Sequence, residues 1–141
     1  MPSTEQEQDN LRLVTSALDV AARDFKRFGE QLFAEDIKWT ITGHGPVART
    51  FHGVEDLINN AEQAMFDRWA APAAVTTKGV WAVGNKVFTH ITSSTTARDG
   101  LPYRNEYLYI LTMKAGKAVA GTAWLDLHAY YDIVARVDPG A

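Results

Sequence analysis

Three short turns divide the second half of the chain into four segments of strand length. The turns are centred on Gly84-Asn85, Asp99-Gly100 and Ala115-Gly116. The segments that they join are residues 74–83, 86–98, 103–114 and 117–127. Glycine and asparagine are typical of short hairpin connections, because they adopt the positive φ angles that such turns require. The spacing therefore predicts an antiparallel meander of four long strands, which limits the possible folds more than any other feature.

Two amphipathic segments precede the meander. Over residues 9–28, apolar side chains recur three, four or seven positions apart, as on one face of a helix. Asp9 or Asn10 is the predicted N-cap of this helix, and Gly29 is its predicted end. A second helix is predicted over residues 54–69. Its buried stripe consists of six apolar residues: Val54, Leu57, Ile58, Ala61, Met65 and Trp69.

Shorter elements complete the pattern. A helical turn is predicted over residues 30–35, and an alternating strand over residues 37–42. A very short strand is predicted over residues 49–52, and a last helical turn over residues 128–134.

Helices followed by a meander indicate an α+β fold with the helices on one face of the sheet, and a bare two-layer α+β sandwich is the competing architecture. The 141 residues fit one domain, residues 1–141, with residues 1–8 and 137–141 predicted to be frayed. A chain of this size buries roughly 70% of the surface of its unfolded form, so its core needs neither metal nor disulfides.

Composition and charge argue against several classes of partner. The net charge is −3 and the 14 Lys and Arg residues are scattered, so no basic patch predicts nucleic-acid binding. No apolar run approaches the roughly 20 residues of a membrane span, and the first residues lack the features of a signal peptide. No membrane partner is expected, and a cytoplasmic location is the expectation.

Motifs for metals and cofactors are missing from the sequence. The four histidines lack the spacing of a zinc motif. Gly43-His44-Gly45 lacks the third glycine and the surrounding βαβ unit of a dinucleotide site. No metal and no cofactor are therefore predicted.

The order of elements and several local motifs resemble the nuclear transport factor 2-like superfamily, in its SnoaL-like and ketosteroid isomerase-like branch. The resemblance covers about residues 9–134. It rests on the helix that ends near Phe28 and on three runs: Ile37-Lys38-Trp39, Phe51-His52-Gly53-Val54-Glu55-Asp56-Leu57, and the stretch from Asn105-Glu106-Tyr107 through Gly116-Lys117 to Trp124-Leu125-Asp126.

This resemblance implies a cone-like fold, in which a curved and mainly antiparallel sheet wraps around three N-terminal helices and encloses a mostly apolar pocket. It also implies frequent assembly as dimers. The superfamily contains isomerases, cyclases, hydrolases, dehydratases and non-catalytic binders, so function has to be argued from the site itself.

Asp126 is the first candidate for chemistry. Alternation places Thr122, Trp124, Asp126 and His128 on one face of the last strand. A carboxyl beside Trp124 is expected in a low-dielectric setting, which raises its pKa and suits a general acid or base. The resemblance also implies an acid/base carboxylate at this position. The alternative is that Asp126 caps a turn or pairs with an arginine at the end of the sheet.

Polar residues on neighbouring strands are candidates to assist Asp126. Asn105, Tyr107 and Tyr109 share a face of the preceding strand, and an amide or a phenol can donate a hydrogen bond to a substrate carbonyl or oxyanion. His90 is the preferred proton-transfer partner of Asp126, with a structural histidine as the alternative. Asp126, His90, Asn105 and Tyr107 form the predicted catalytic set. The predicted substrate-binding set comprises Phe25, Trp39, Met65, Tyr109, Trp124 and His128.

Two functions stay open from the sequence. The first is a cofactor-free enzyme in which Asp126 transfers a proton during isomerisation, cyclisation, dehydration or hydrolysis of a hydrophobic small molecule. The second is a non-catalytic module that binds a small molecule or a protein. In either case Leu108 and Ile110, on the opposite face of their strand, predict a homodimer formed through the sheet.

Overall fold

A computed structural model describes residues 3–140 and shows one curved sheet of six strands in the order β2-β1-β6-β5-β4-β3. The strands are β1 (Phe33–Ile41), β2 (Thr50–His52), β3 (Ala74–Val83), β4 (Lys86–Thr96), β5 (Pro102–Lys114) and β6 (Lys117–Leu125). Strands β3 to β6 form the antiparallel meander that the turns predict. Strand β1 adds to it in parallel with β6, and the short β2 closes that edge.

The helices lie on the inner face of this sheet, as the α+β prediction requires. They are α1 (Glu5–Ala21), α2 (Val54–Leu57), α3 (Gln63–Phe66) and α4 (Leu127–Arg136), with a short 3₁₀ turn at Phe25–Arg27. A π-helix, Ile58–Glu62, joins α2 to α3, so the three segments form one helix that we call the 54–66 helix. No helix within residues 3–140 is long and apolar enough to cross a membrane.

The first helix begins and ends earlier than its apolar spacing predicts. Thr4 is the N-cap instead of Asp9 or Asn10, because Thr4 and Glu7 form a reciprocal capping box. The Glu7 carboxylate also accepts a hydrogen bond from the backbone N–H of Gly84, which ties the helix start to the β3–β4 turn. Residues 5–8 are therefore helical, and the prediction that they are frayed is wrong.

The opposite end of the chain is also held for part of its predicted frayed length. Val137 is buried, and its carbonyl accepts a hydrogen bond of 2.8 Å from the Arg68 guanidinium. The backbone N–H of Gly140 donates to the carbonyl of Asp67. Residues 1, 2 and 141, which belong to the same prediction of frayed ends, lie outside the described residues.

Two predicted boundaries in the middle of the chain are wrong. Strand β1 begins at Phe33, so the helical turn predicted over residues 30–35 gives way to a strand. The 54–66 helix ends at Phe66, three residues before its predicted end at Trp69. Trp69 instead forms an isolated β-bridge with Ala97, which fastens the helix end to the sheet.

The core lies between the sheet and the helices. Alternate residues of β5 from Tyr103 to Met113 are buried, while their neighbours point to the outer face. Helix α1 presents Val14, Leu18 and Ala21 to this inner face, mainly over β3. The 54–66 helix lies at the other end of the sheet. Because the sheet is curved, a cavity remains between this helix and the inner face of the sheet.

Candidate active site in an aromatic cavity

A cavity of about 580 Å³ lies between the 54–66 helix, the turn around residues 25–30 and the inner face of the sheet. Its size is within the range of small-molecule sites. Eight aromatic side chains line it: Phe25, Phe28, Phe33, Trp39, Phe66, Tyr107, Tyr109 and Tyr130. Aliphatic residues of the 54–66 helix and of β6 also line it, among them Leu57, Ala61, Met65, Ala123 and Leu125.

The aromatic walls are fixed by contacts between neighbouring rings. The rings of Trp39 and Tyr109 pack edge to face with their centroids 5.0 Å apart. Phe25 and Tyr107 lie 5.2 Å apart, and Tyr107 and Tyr109 lie 5.7 Å apart. Tilted and edge-to-face pairs of this kind are favourable beyond the area that they bury. The cavity therefore has a defined shape before any ligand enters.

Glu62 is a carboxyl group in the wall of this otherwise largely apolar cavity. Its side chain is half-buried and lines the cavity. No other residue within 3–140 donates a hydrogen bond to its carboxylate or forms an ion pair with it. Burial raises the pKa of Glu62 to about 7. Near neutral pH this carboxyl is present in both protonation states, which suits a general acid or base.

The other charged residues of the lining mark the mouth of the cavity. Lys26, Glu30 and Glu35 are exposed to solvent. The Lys26 ammonium lies 5.1 Å from the centre of the Phe66 ring. Among the described residues, Glu62 is thus the only ionisable carboxyl in the interior of the cavity.

The Tyr109 hydroxyl is the second polar group available to a ligand. Tyr109 is buried in the cavity wall, and its hydroxyl has no hydrogen-bond partner within residues 3–140. Burial raises the pKa of Tyr109 well above its ordinary value, and the nearby Glu62 charge raises it further. The phenol therefore keeps its proton and can donate it in a hydrogen bond. The Tyr107 hydroxyl, in contrast, already pairs with the Ser93 hydroxyl at 2.9 Å.

Asp126 lies outside this cavity, and the low-dielectric setting expected for it is wrong. Strand β6 ends at Leu125, and Asp126 is the N-cap of α4, where its exposed carboxylate accepts a hydrogen bond of 3.1 Å from the backbone N–H of Ala129. Capping is the alternative that the sequence left open. The face of β6 that carries Trp124 is the outer one, since Gly121 and Ala123 point inward.

His90 is also placed differently from its prediction as the partner of Asp126. It lies on the outer face of β4, and its Nε2 atom is 2.6 Å from a carboxylate oxygen of Glu106. Trp124 lies on the same outer face, opposite Leu108, and 43% of its surface is exposed. His128 is exposed on α4. None of His90, Trp124 and His128 lines the cavity.

Asn105 is buried, and all its hydrogen bonds are to other groups of the protein. Its Nδ2 atom donates to the Tyr103 hydroxyl at 2.9 Å and to the Asp126 carbonyl at 3.1 Å. Its Oδ1 atom accepts from the backbone N–H groups of Asp126 at 2.9 Å and Glu106 at 2.8 Å. These four bonds use the full capacity of a side-chain amide, so Asn105 clamps the β6–α4 junction and has no bond left for a ligand.

The structure does bring together five of the residues predicted from the sequence. Phe25, Trp39, Met65, Tyr107 and Tyr109 all line the cavity. The sequence reading missed Glu62. A signal was present, because Glu62 follows Ile58 by four positions and so continues the apolar stripe of the predicted helix. A carboxyl on the buried stripe of a helix is the pattern that identifies it.

Glu62 lies at the end of the π-helix. The segment Ile58–Glu62 is wound more widely than the α-helix on either side, and Glu62 is its last residue. Single π-turns inside α-helices occur frequently at functional sites. No cluster of three His, Asp or Glu side chains suited to a metal ion occurs in the described part of the chain.

Comparisons with known proteins agree with this architecture. A model of the SnoaL-like domain family matches residues 13–121. No curated protein matches the chain by sequence. A candidate SnoaL-like polyketide cyclase from Jannaschia sp. CCS1 superimposes with a TM-score of 0.73 at 13% identity, covering 98% of this chain and 99% of that one.

Two further solved structures are similar over nearly their whole lengths. A candidate isomerase from Bacillus subtilis has a TM-score of 0.66 at 15% identity, covering 99% of this chain and 100% of its own. An LEH-like epoxide hydrolase from M. tuberculosis has a TM-score of 0.64 at 14% identity, covering 94% of this chain and 93% of its own. At these identities the likeness establishes the fold.

Proposed function

Because the chain belongs to the SnoaL-like domain family, we propose that it is an acid/base enzyme acting on a hydrophobic small molecule inside the aromatic cavity. Glu62 transfers the proton, and the Tyr109 hydroxyl donates a hydrogen bond to the oxygen that gains negative charge. One observation carries this proposal: an unpartnered carboxyl, with its pKa raised to about 7, lies in a cavity with aromatic walls.

The chemistry follows from the two groups. As a carboxylate, Glu62 removes a proton from a carbon next to a carbonyl group, and the C–H electron pair moves to the carbonyl oxygen. Tyr109 donates a hydrogen bond to that enolate oxygen, where a preorganised donor in a dry site is most effective. In a substrate with a C=C bond next to that carbon, Glu62 then returns its proton to the far carbon of the C=C bond while the electron pair moves back from the enolate oxygen, which is an isomerisation. If the enolate carbon instead attacks a second carbonyl of the same molecule, Glu62 gives its proton to the oxygen of that carbonyl, and the reaction is a cyclisation.

The walls favour neutral ligands. Within the described residues, the only basic side chain of the lining is Lys26, which lies at the mouth. An anionic ligand would enter the interior without a counter-charge and would lose its hydration there. The structural relatives named as a cyclase, an isomerase and an epoxide hydrolase support a reaction on a small molecule, without selecting one reaction.

The non-catalytic alternative uses the same cavity. A binding module would take up an apolar ligand without turning it over, and Glu62 would only modulate affinity. A homodimer formed through the outer face of the sheet is part of the proposal in both cases. A cytoplasmic location and the absence of nucleic-acid, membrane, metal and cofactor partners stay predictions.

A proton-abstraction probe tests the proposal without knowledge of the natural substrate. 5-Nitrobenzisoxazole is flat and neutral; when a base removes its C–H proton, the N–O bond breaks and a coloured nitrophenolate forms. We expect the wild-type rate to rise with pH and to level off above about 7, because the carboxylate is the active form. Glu62→Gln is expected to lower kcat/KM by about 100-fold or more.

Two variants serve as controls in this assay. Tyr109→Phe should reduce the rate less than Glu62→Gln, because it removes a hydrogen bond and keeps the base. Asp126→Asn keeps a good N-cap residue and should leave the rate unchanged. Wild-type activity in Glu62→Gln would contradict the assignment. No turnover by the wild type, together with uptake of an apolar fluorophore, would favour the binding module.

A further inference from the structure

The indole ring of Trp39 lies against the backbone of Gly121. Both residues point inward from neighbouring parallel strands, where Trp39 pairs with Gly121. A Cβ atom built on Gly121 would fall well inside van der Waals contact of the indole atoms Cε3 and Cζ3. The ring can occupy this place only because residue 121 has no side chain.

Backbone conformation does not explain this glycine. Gly121 is not among the glycines with positive φ angles, so its backbone is accessible to any L-residue. Glycine inside a strand is unfavourable, and it often marks a place where another group approaches closely. Here the approaching group is the indole. The cause of the glycine is therefore the space that Trp39 needs.

The position of Trp39 determines the shape of the cavity. Trp39 lines the cavity, and its ring packs against Phe33 at 5.0 Å and against Tyr109 at 5.0 Å between centroids. Restoring carbon–carbon contact with an alanine at position 121 requires the indole to move by at least about 1 Å. The sheet lies behind the ring, so this movement is into the cavity.

We infer that Gly121 and Trp39 together set the maximum length of ligand that the cavity accepts. Gly121 lets the indole lie against the backbone of β6, which leaves the cavity deeper at this end; a side chain at position 121 would make the cavity shallower by the space of about one or two methylene groups. The inference rests on the proposed function, since it takes the aromatic cavity to be the ligand site. It concerns which ligands fit, and so it holds whether or not Glu62 transfers a proton.

A chain-length series tests this directly. The probe is N-phenyl-1-naphthylamine, a neutral fluorophore, displaced by straight-chain 2-ketones from 2-hexanone to 2-dodecanone. Gly121→Ala should bind the short ketones as the wild type does and the longest accepted ketones about tenfold more weakly, since each excluded methylene loses about fourfold in affinity. Trp39→Phe should shift the limit to longer ketones. The double variant should return towards the wild-type limit.

The chain offers a matched control. Gly79 lies on β3, and a Cβ atom built there would overlap the ring of Trp81, which is exposed outside the cavity. Gly79→Ala therefore also brings a methyl group against an indole ring, but outside the cavity, and it should leave the ketone profile unchanged. Thermal unfolding of each variant records any general loss of stability.

The outcomes separate the possibilities. A length-dependent loss in Gly121→Ala, reversed in the double variant, supports the inference. A uniform loss for all ketones, or an equal change in Gly79→Ala, would show a purely structural role and overturn it. If the wild type takes up neither fluorophore nor ketones, both the inference and the proposed function fail. If it binds them but Glu62→Gln retains wild-type proton transfer, only the proposed function fails.

Discussion

Glu62 links the chemistry of the cavity to the stability of the protein. Its carboxyl faces aromatic walls and has no hydrogen-bond donor within residues 3–140, so its charged form is poorly solvated in the folded state. The unfolded chain solvates the same carboxyl fully. The two states therefore bind the Glu62 proton with different affinities, and the difference must appear in the pH dependence of folding.

This difference predicts a pH-dependent gain for Glu62→Gln. The pKa of Glu62 is raised from an ordinary value of 4.5 to about 7, so the folded state binds more protons than the unfolded state in this window. The contribution of Glu62 is fully present below about pH 4.5 and is lost as the pH rises through 7. We expect Glu62→Gln to match the wild type near pH 4.5 and to unfold with a free energy roughly 2–3 kcal/mol higher at pH 8.

Urea unfolding at pH 4.5, 6, 7 and 8 measures this difference, and the response of the other carboxyls cancels between the two proteins. Parallel pH profiles for wild type and Glu62→Gln would show that the Glu62 carboxyl is well solvated in the folded state.

At the residue scale, the sequence predicts which side chains share a face of a strand, but it does not predict which of the two faces lines the cavity. Alternation correctly placed Trp124 apart from Gly121 and Ala123 on β6. Alternation alone could not show that Gly121 and Ala123 are the residues that point inward. Their side chains are small because the Trp39 indole and the cavity, to which other parts of the chain contribute, occupy the space in front of them. Asp126 was therefore assigned to the wrong environment, and Glu62 was not recognised on its helix.

At the scale of elements, the sequence predicts a boundary correctly where the turn or cap that forms it depends on neighbouring residues only. The hairpin turns carry local signals, and the structure has positive φ angles at Gly84, Gly100 and Gly116 as these turns require. The start of α1 has an equally local signal in the Thr4–Glu7 capping box, which the apolar spacing alone did not include. The π-helix has no comparable local signature in the sequence, so its position could not be predicted.

The Asp126 cap gives a prediction at this scale. Its carboxylate accepts the Ala129 N–H at the start of α4, while Asn105 holds the adjoining backbone. Asp126→Ala should lower the free energy of unfolding by about 1 kcal/mol, and Asp126→Asn should lose much less, because asparagine is also a good N-cap. Urea unfolding at pH 7 measures both variants. An equal loss in both would show that the negative charge, and not the cap hydrogen bond, stabilises α4.

At the scale of the whole molecule, the outer face of the sheet carries a group of exposed or half-buried apolar side chains. Five apolar side chains lie side by side on the outer face of strands β3 to β6 and form what we call the outer-face patch: Trp81, Phe88, Leu108, Ile110 and Trp124. The exposed fractions are 54% for Trp81, 38% for Leu108 and 43% for Trp124. A contiguous patch of this kind is typical of an interaction surface.

We expect this patch to form a homodimer interface that buries on the order of 1,600 Å² in total. Light scattering of the wild type at micromolar concentration should give the dimer mass, and Trp124→Glu should give the monomer. Val20→Glu is the matched control, because Val20 has the same exposed fraction of 43% but lies on α1, on the opposite side of the sheet from the outer-face patch. A monomeric wild type, or dissociation by both variants alike, would contradict the interface.

The parallel pairing of β1 with β6 has a consequence for how the chain reaches its native state. The Thr42 hydroxyl, just after β1, donates to the carbonyl of Ala123 in β6, 81 positions later. Contacts between such distant segments form slowly, because a long loop must close first. During synthesis, strands β3 to β5 can begin to pair before β6, which is the partner strand of β1, has been made. Because Trp39 and Gly121 belong to β1 and β6, the cavity wall that the indole forms cannot be complete before these two strands have paired.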